Sequence, residues 1–215
     1  IDSINVSAAG NMLFSNSAVL TPDGKKLYVA NAGAKNIMVI NTENKNVEKV
    51  LPIKALWATA ISMSQDGSKA YITSEDGGLY IINTSDDSYH NVLVLGVIFG
   101  PVIPSRKEPD ILYTVGTLVE DSGTFRPSFF TFSLSNNSVV RFSNLASEVM
   151  PPDSFTRRFV VNPDETKAYF GWFQMDDRGS GNFNVFDLDG FQVLSSTPMD
   201  NGVTDFAVNE RTGKV

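Results

Sequence analysis

The side chains best suited to holding a ligand gather in three stretches: "TLVEDSGTFRPS" (117–128), "ASEVMPPDSF" (146–155) and "QMDDRGSGN" (174–182). Glu120, Asp121, Asp153, Asp176 and Asp177 lie there among Arg126 and Arg178, and Arg157-Arg158 follows directly. Acids and bases mixed in this way can bind a polar ligand or the rim of a partner; they equally suit solvated loop tips. "DDRGSGN" is a roomy acidic loop and the candidate for calcium. "DLDG" (187–190) resembles part of a calcium loop, but its spaced oxygen ligands and distal Glu are missing, so it reads as a turn. Acid–base chemistry between paired carboxylates stays open, because it needs a separation in space that spacing in sequence does not fix.

Other chemistries are excluded for these 215 residues. With no cysteine, the chain forms no disulfide, thiolate nucleophile, thiolate-bound zinc or c-type haem attachment. His90 is the sole histidine, so a two- or three-His metal centre cannot be assembled from this chain alone. A Ser-His-Asp triad would have to use His90, which falls on an outer strand. No Gly-rich phosphate loop of the required form occurs. A net charge of -7 with interspersed signs argues against nucleic acid and against an anionic membrane surface. No apolar run approaches the ~18 residues that would span a bilayer. Ile1 stands first with no charged-then-apolar leader, which predicts a removed targeting segment or a piece of a longer chain.

The elements that must position these residues come from a repeat. Tyr28, Tyr71, Tyr113 and Tyr169 each sit in a short alternating run, at steps of 43, 42 and 56 residues. A turn precedes each one: Thr21-Pro-Asp-Gly24, Ser64-Gln-Asp-Gly67, Ser105-Arg-Lys-Glu108 and Asn162-Pro-Asp-Glu165. Two further alternating runs follow each tyrosine, such as "IMVINT" and "NVEKVLPI" after Tyr28. Pro presets φ and Gly accepts φ > 0, so Pro-Asp-Gly makes a good hairpin connector. Four strands, a to d, in about 40–45 residues is the period of a β-propeller blade. The fold class is therefore all-β: a propeller of four-stranded antiparallel blades at 15–52, 57–95, 98–144 and 155–198. A fifth begins at 203–215. Residues 1–215 read as a single propeller domain or fragment. Seven such units need on the order of 300 residues, which predicts a larger, about seven-bladed ring. A four-bladed ring closed by residues 1–14 and 203–208 is the alternative.

"AVLTPDGKKLYVANAGAKNIMVINTENKNVEKVLPI" resembles the YVTN-type β-propeller repeat, with its Pro-Asp-Gly turn, Tyr-Val-Ala-Asn strand and Val-Ile-Asn-Thr strand. The match is good over residues 15–95, intermediate over 156–198 and weakest over 96–143, where "SRKEPD" replaces the turn. The resemblance implies an extracellular, cell-surface or periplasmic setting and surface-layer-like proteins. Lactonase-like enzymes and subunits of propeller-containing dehydrogenases carry related repeats, and they supply the enzymatic alternative. The motif specifies the fold far more tightly than an activity.

In a propeller the b–c and d–a connections leave at one end, so the three long stretches share a face, where long loops commonly carry function. Nine residues before each turn Asp lie Phe14, Trp57 and Phe155, with Phe99 near the equivalent place in the third unit. These aromatics sit where the innermost strand starts; they suit a stacking rim at the channel mouth and, equally, packing of blade on blade. Arg157 or Arg158 is expected to face the channel, since alternate side chains of the inner strand point that way. Asn5, Asn83 and Asn136 begin Asn-x-Ser sequons and become glycosylation candidates if the protein is exported. The expected function is a non-enzymatic scaffold, with no cofactor, that binds a protein or glycan through the long-loop face. Further blades or another chain would complete the ring. A purely architectural module in a repeat array is the third reading.

Overall fold

Alternating β-branched and aromatic runs, interrupted every few residues by Asx, Pro or Gly, offer no stretch with helical periodicity. Every regular element among the described residues is accordingly a strand. The computed structural model describes residues 4, 15–31, 34–53, 58–74, 78–146, 150, 154–174, 181–200, 203 and 206–209.

The strands form four antiparallel meanders. The first holds β1 (Ser15–Leu20), β2 (Lys26–Asn31), β3 (Asn36–Asn41) and β4 (Asn46–Leu51). The second holds β5 (Ala58–Met63), β6 (Lys69–Ser74), β7 (Leu79–Asn83) and β8 (Tyr89–Val92). In the third, β9 (Val97–Ile98) and β10 (Val102–Pro104) both pair with β11 (Ile111–Val119), followed by β12 (Phe125–Ser133) and β13 (Ser138–Asn144). The fourth holds β14 (Ser154–Val161), β15 (Lys167–Gln174), β16 (Gly181–Asp187) and β17 (Gln192–Met199). Each meander is a propeller blade. The chain divides into two compact units, residues 1–93 with two blades and 94–215 with the other two. Among residues 203 and 206–209 no strand forms, but Phe206 meets Phe183 edge-on at 5.1 Å and its carbonyl accepts Arg158 Nε at 3.1 Å.

The turns explain the repeated residues. Thr21 Oγ1 donates to Asp23 Oδ1 at 2.6 Å and accepts the Lys26 amide, while Asp23 accepts the Lys25 amide. Ser64, Asp66, Ser68 and Lys69 repeat this arrangement, and hydrogen bonds from Ser64 and Ser68 hold the Asp66 carboxyl at about 2. Thr42 and Thr84, at the end of the c strand, donate their hydroxyls to the carbonyls of Gly24 and Gly67 at 2.5 Å. One such set ties three strand ends together.

Blade pairs are held by apolar burial. In the first unit Tyr28, Ala30, Ile37 and Val39 pack on Ile61, Ala70, Ile72 and Ile82. In the second, Val115, Phe129, Leu145 and Met150 pack on Phe159, Phe170, Trp172 and Phe186. Phe129 stacks on Phe186 at 4.1 Å and meets the edges of Phe159 and Phe191. Each buried Val, Leu, Ile, Phe or Met side chain among them contributes about 1.5–3 kcal/mol. Lys45, Asp87, Asn137 and Phe191 all take positive φ at the same place in the four c–d turns. For a bulky Phe that conformation is strained; the rings of Phe129 and Phe186 and the Arg141 guanidinium, 4.0 Å from its centroid, hold Phe191 there.

The repeated tyrosine adds a polar seam. Tyr28, fully buried, donates to Asp87 Oδ1 at 2.6 Å, and Lys26 Nζ reaches the same carboxylate at 3.1 Å. Burial first, and the hydrogen bond to Asp87 second, push the phenol far above its ordinary value. Tyr28→Phe is expected to lower unfolding stability by about 2 kcal/mol, the scale of a hydrogen bond to a charged group. Urea denaturation checks this; an unchanged midpoint would remove the seam from the account.

Candidate functional site

The long-loop end of the third blade is where the described structure gathers site residues. β11 and β12 pair over nine positions, from Ile111↔Ser133 to Val119↔Phe125, whereas the first blade's b–c pairing ends at Asn31↔Asn36. Relative to the blade tyrosine, the third hairpin runs three residues further, about 10 Å at strand rise. Its tip is closed by Gly123 donating to the Glu120 carbonyl and Glu120 donating to Thr124. β9 buttresses one side through Thr117↔Ile98 and Leu118↔Val97, and the Val119 amide donates to the Gly96 carbonyl.

An open groove of about 380 Å³ lies along the other side. Phe125, Arg126 and Pro127 of β12, Asn144 of β13, and Leu145, Ala146 and Met150 of the following connection line it. Its volume falls within the range of small-ligand and side-chain pockets. The floor is apolar and fixed: Leu145 and Met150 are buried, the Leu145 amide donates to the Pro127 carbonyl, and the Thr156 hydroxyl meets Met150 Sδ at 3.7 Å. Phe125 stands on the wall, 55% exposed.

Arg126 Nε and Nη2 donate to the two carboxylate oxygens of Glu120, which raises the guanidinium pKa further. Both side chains are nearly half exposed, so the pair adds little stability. What it does is fix the arginine beside the groove. Asp121 is exposed at the hairpin tip. The structure thus brings Glu120, Asp121 and Arg126 together.

The remaining candidates separate. Phe99 is 2% exposed, set edge-on to Phe132 at 5.1 Å and tilted against Phe130 at 6.0 Å. It is a core residue, and the expectation of a channel-mouth aromatic is corrected there. The a strand of this blade is split between β9 and β10, so counting back from the turn lands on an interior position. Strict alternation at Arg157-Arg158 is corrected as well. Thr156 pairs with Trp172 and Arg158 with Gly171, leaving Arg157 as the extra residue of a β-bulge. Residues 16 and 59 are skipped in the same way, each seven before its turn Asp. Arg158 is exposed and bonded to the Phe206 carbonyl. Phe155 belongs to β14, but its side chain, like that of Arg157, falls outside the described residues; so do Trp57, Asp153, Asp176, Asp177, Arg178 and Asn5. Asn83 and Asn136 are exposed at c–d turns, Asn136 at the opposite end of its own blade from the hairpin arm. Asp187 accepts the Asp189 amide at 3.1 Å, as a turn aspartate does. Phe125, Asn144 and Met150 were not singled out by sequence; "TFRPS", an aromatic beside a charge in a long loop, was the available signal for the first of them.

The all-β blades, the extended hairpin and its groove define a β-propeller, and comparison with solved structures agrees. Hydrazine synthase from Kuenenia stuttgartiensis is similar, with a TM-score of 0.65 and 19% identity over 83% of this chain and 53% of that one. The Cps50 (Swd1) β-propeller domain of Myceliophteria thermophila is similar at a TM-score of 0.65 and 14% identity, over 94% of this chain and 62% of that one. The chain thus spans between half and two thirds of the length of these neighbours, and identities this low carry the fold alone. No family model and no curated protein matches the sequence.

Proposed function

We propose that this propeller is a non-enzymatic binding or assembly scaffold, acting outside the cytoplasm or at a cell surface, that engages its partner through the long-loop end. The observation that carries this reading is the groove beside the third-blade hairpin, with Phe125 exposed over a buried apolar floor. Rigid scaffolds commonly present binding residues on lengthened loops, and here the lengthened element is a paired arm rather than a loose strand of chain. The setting rests on the likeness to YVTN repeats; given export, the exposed sequons Asn83 and Asn136 become glycosylation candidates. The assembly role includes further blades or another chain completing the ring.

The chain has no cysteine, so single cysteines report cleanly. We expect a complex heavier than the chain itself in native mass measurements of the protein from its source, and a 5 kDa polyethylene glycol on Ser122→Cys to abolish it. The same polymer on Asn44→Cys, in a c–d turn, is expected to leave that species intact. The reverse pattern, or a lone 23.5 kDa species throughout, overturns the scaffold reading.

A further inference from the structure

The groove's lining divides into an apolar part and a hydrogen-bonding part. Leu145 and Met150 form the buried floor, and the half-exposed ring of Phe125 stands on the wall. Arg126 and Asn144 bring polar side chains to the same groove. Arg126 spends Nε and Nη2 on the two oxygens of Glu120, which holds the guanidinium plane. Its other N–H groups, and the remaining lone pairs of the carboxylate, stay available, and both side chains are nearly half exposed. Asn144 Oδ1 accepts the Ser128 hydroxyl at 3.0 Å, which leaves the amide N–H groups of Asn144 to donate. Donors and an acceptor therefore stand side by side next to an aromatic face.

Charge selects little here. Glu120 neutralises Arg126, so among the described residues of hairpin and groove only Asp121, at the tip, adds net charge. An ionic group entering the groove meets no uncompensated counter-charge. A purely apolar side chain would cover the donors of Arg126 and Asn144 and give them no acceptor, which is unfavourable. Apolar anchors also sit in pockets ringed by contacts that exclude water, whereas this groove is open.

Resting on the scaffold reading, we propose that the groove binds a neutral sugar ring, a hexopyranose unit of a glycan. One C–H face of the ring stacks on Phe125, and its hydroxyls bond to Asn144 and to the Arg126–Glu120 pair. A pyranose has the same division as the groove: its C–H groups make an apolar face, which the negative face of an aromatic ring attracts, and its polar atoms lie round the rim. Each hydroxyl is donor and acceptor at once, so it can bridge Arg126 and Glu120 without disturbing their charge balance. About 380 Å³ is at the small end of ligand pockets and suits one such ring, with the rest of the glycan continuing past the open side.

Three neutral trisaccharides and one neutral peptide test this against the isotopically labelled full chain: cellotriose, maltotriose, triacetylchitotriose and acetyl-GLWG-amide. Each is titrated into the millimolar range while amide shifts are followed. At least one trisaccharide is expected to move the Phe125, Leu145 and Ala146 amides and the Asn144 side-chain NH2, and to bind about tenfold more tightly than the peptide. Its affinity is expected to change by less than about twofold between low and physiological salt, because no ion pair forms. Phe125→Ala is expected to weaken binding about tenfold, and Phe125→Trp to retain it. Asn144→Asp keeps the shape, removes the donors and is expected to weaken binding about fivefold. Phe125 and Asn144 are exposed, and unchanged amide spectra elsewhere establish that the variants fold. If the peptide moves the groove and no trisaccharide does, or if Phe125→Ala binds sugar as wild type does, the sugar is overturned while the long-loop reading stands. Affinity that falls severalfold with salt overturns it as well. If nothing moves the groove, the proposal fails, and the polyethylene glycol measurement still decides the scaffold reading. If a trisaccharide binds at the c–d turns instead, the scaffold reading's choice of face fails with the proposal.

Discussion

Gly100→Ala is expected to destabilise the second unit by about 4 kcal/mol, near the top of what a single substitution does. A methyl at Gly100 would lie 1.8 Å from the Val115 carbonyl oxygen, and one at Gly116 would lie 2.3 Å from that of Ile98. Both neighbours are backbone, so no rotamer change relieves the clash; β9 and β10 would have to part from β11. The closeness follows from the way the a strand is broken. β10 pairs with residues 112–114 and β9 with 117–118, so Phe99, Gly100 and Pro101 must cross over Val115 and Gly116 at contact distance. Gly123→Ala provides the comparison. Its φ is +80°, but nothing lies within 4 Å of the added carbon, so only left-handed backbone strain is incurred, about 1 kcal/mol. Urea melts of the three proteins decide the matter: equal losses for Gly100→Ala and Gly123→Ala would mean that the crossing is not as tight as described.

That same crossing marks the limit of what the sequence reveals. The blades were legible because a turn, an alternating strand and a tyrosine are local features that repeat, and Tyr113 kept the period where "SRKEPD" had lost Pro-Asp-Gly. Strand order followed, since short connections between antiparallel strands leave little choice. Phe99 was misplaced because its position was reckoned from a turn whose register is broken, and its burial depends on Phe130 and Phe132, more than thirty residues away. Arg157 was read through alternation, which a bulge suspends, and a bulge leaves no reliable mark in one sequence. Of the site, the charged hairpin residues Glu120, Asp121 and Arg126 were visible as a long insertion. The groove was not, because Asn144 comes from the d strand and Leu145 and Met150 from the connection after it, and they meet β12 only once the d strand has paired.

Glu165 shows a departure from the repeat that carried information. It occupies the place of Gly24 and Gly67 in the turn, with φ of +51° against their +73° and +71°. A non-glycine there costs about 1 kcal/mol or more, so its side chain must return that and more. It is 5% exposed; Oε2 accepts the Ser105 hydroxyl at 2.8 Å and the Tyr113 hydroxyl at 3.2 Å, and Oε1 accepts the Arg106 amide. Ser105 Oγ in turn accepts the amides of Lys107 and Glu108 at 3.2 and 3.0 Å, which commits its own proton to Glu165. A carboxylate from the fourth blade thus organises the third blade's turn, the one that lacks Pro-Asp-Gly. Tyr113 makes here the contact that Tyr28 makes with Asp87. Glu165→Ala is expected to cost about 3 kcal/mol, since it keeps the strained backbone and leaves three donors without their acceptor. Glu165→Gly sheds the strain and is expected to cost about 1 kcal/mol less than alanine. Glu165→Gln does not rescue, because its amide nitrogen must face either the committed Ser105 hydroxyl oxygen or the Arg106 N–H. Urea melts give the order, and hydrogen exchange at the Arg106 amide gives the place: exchange quickens in all three variants if the carboxylate holds this turn. Gln behaving as wild type would show that shape, rather than the charged acceptor, is what the seam requires.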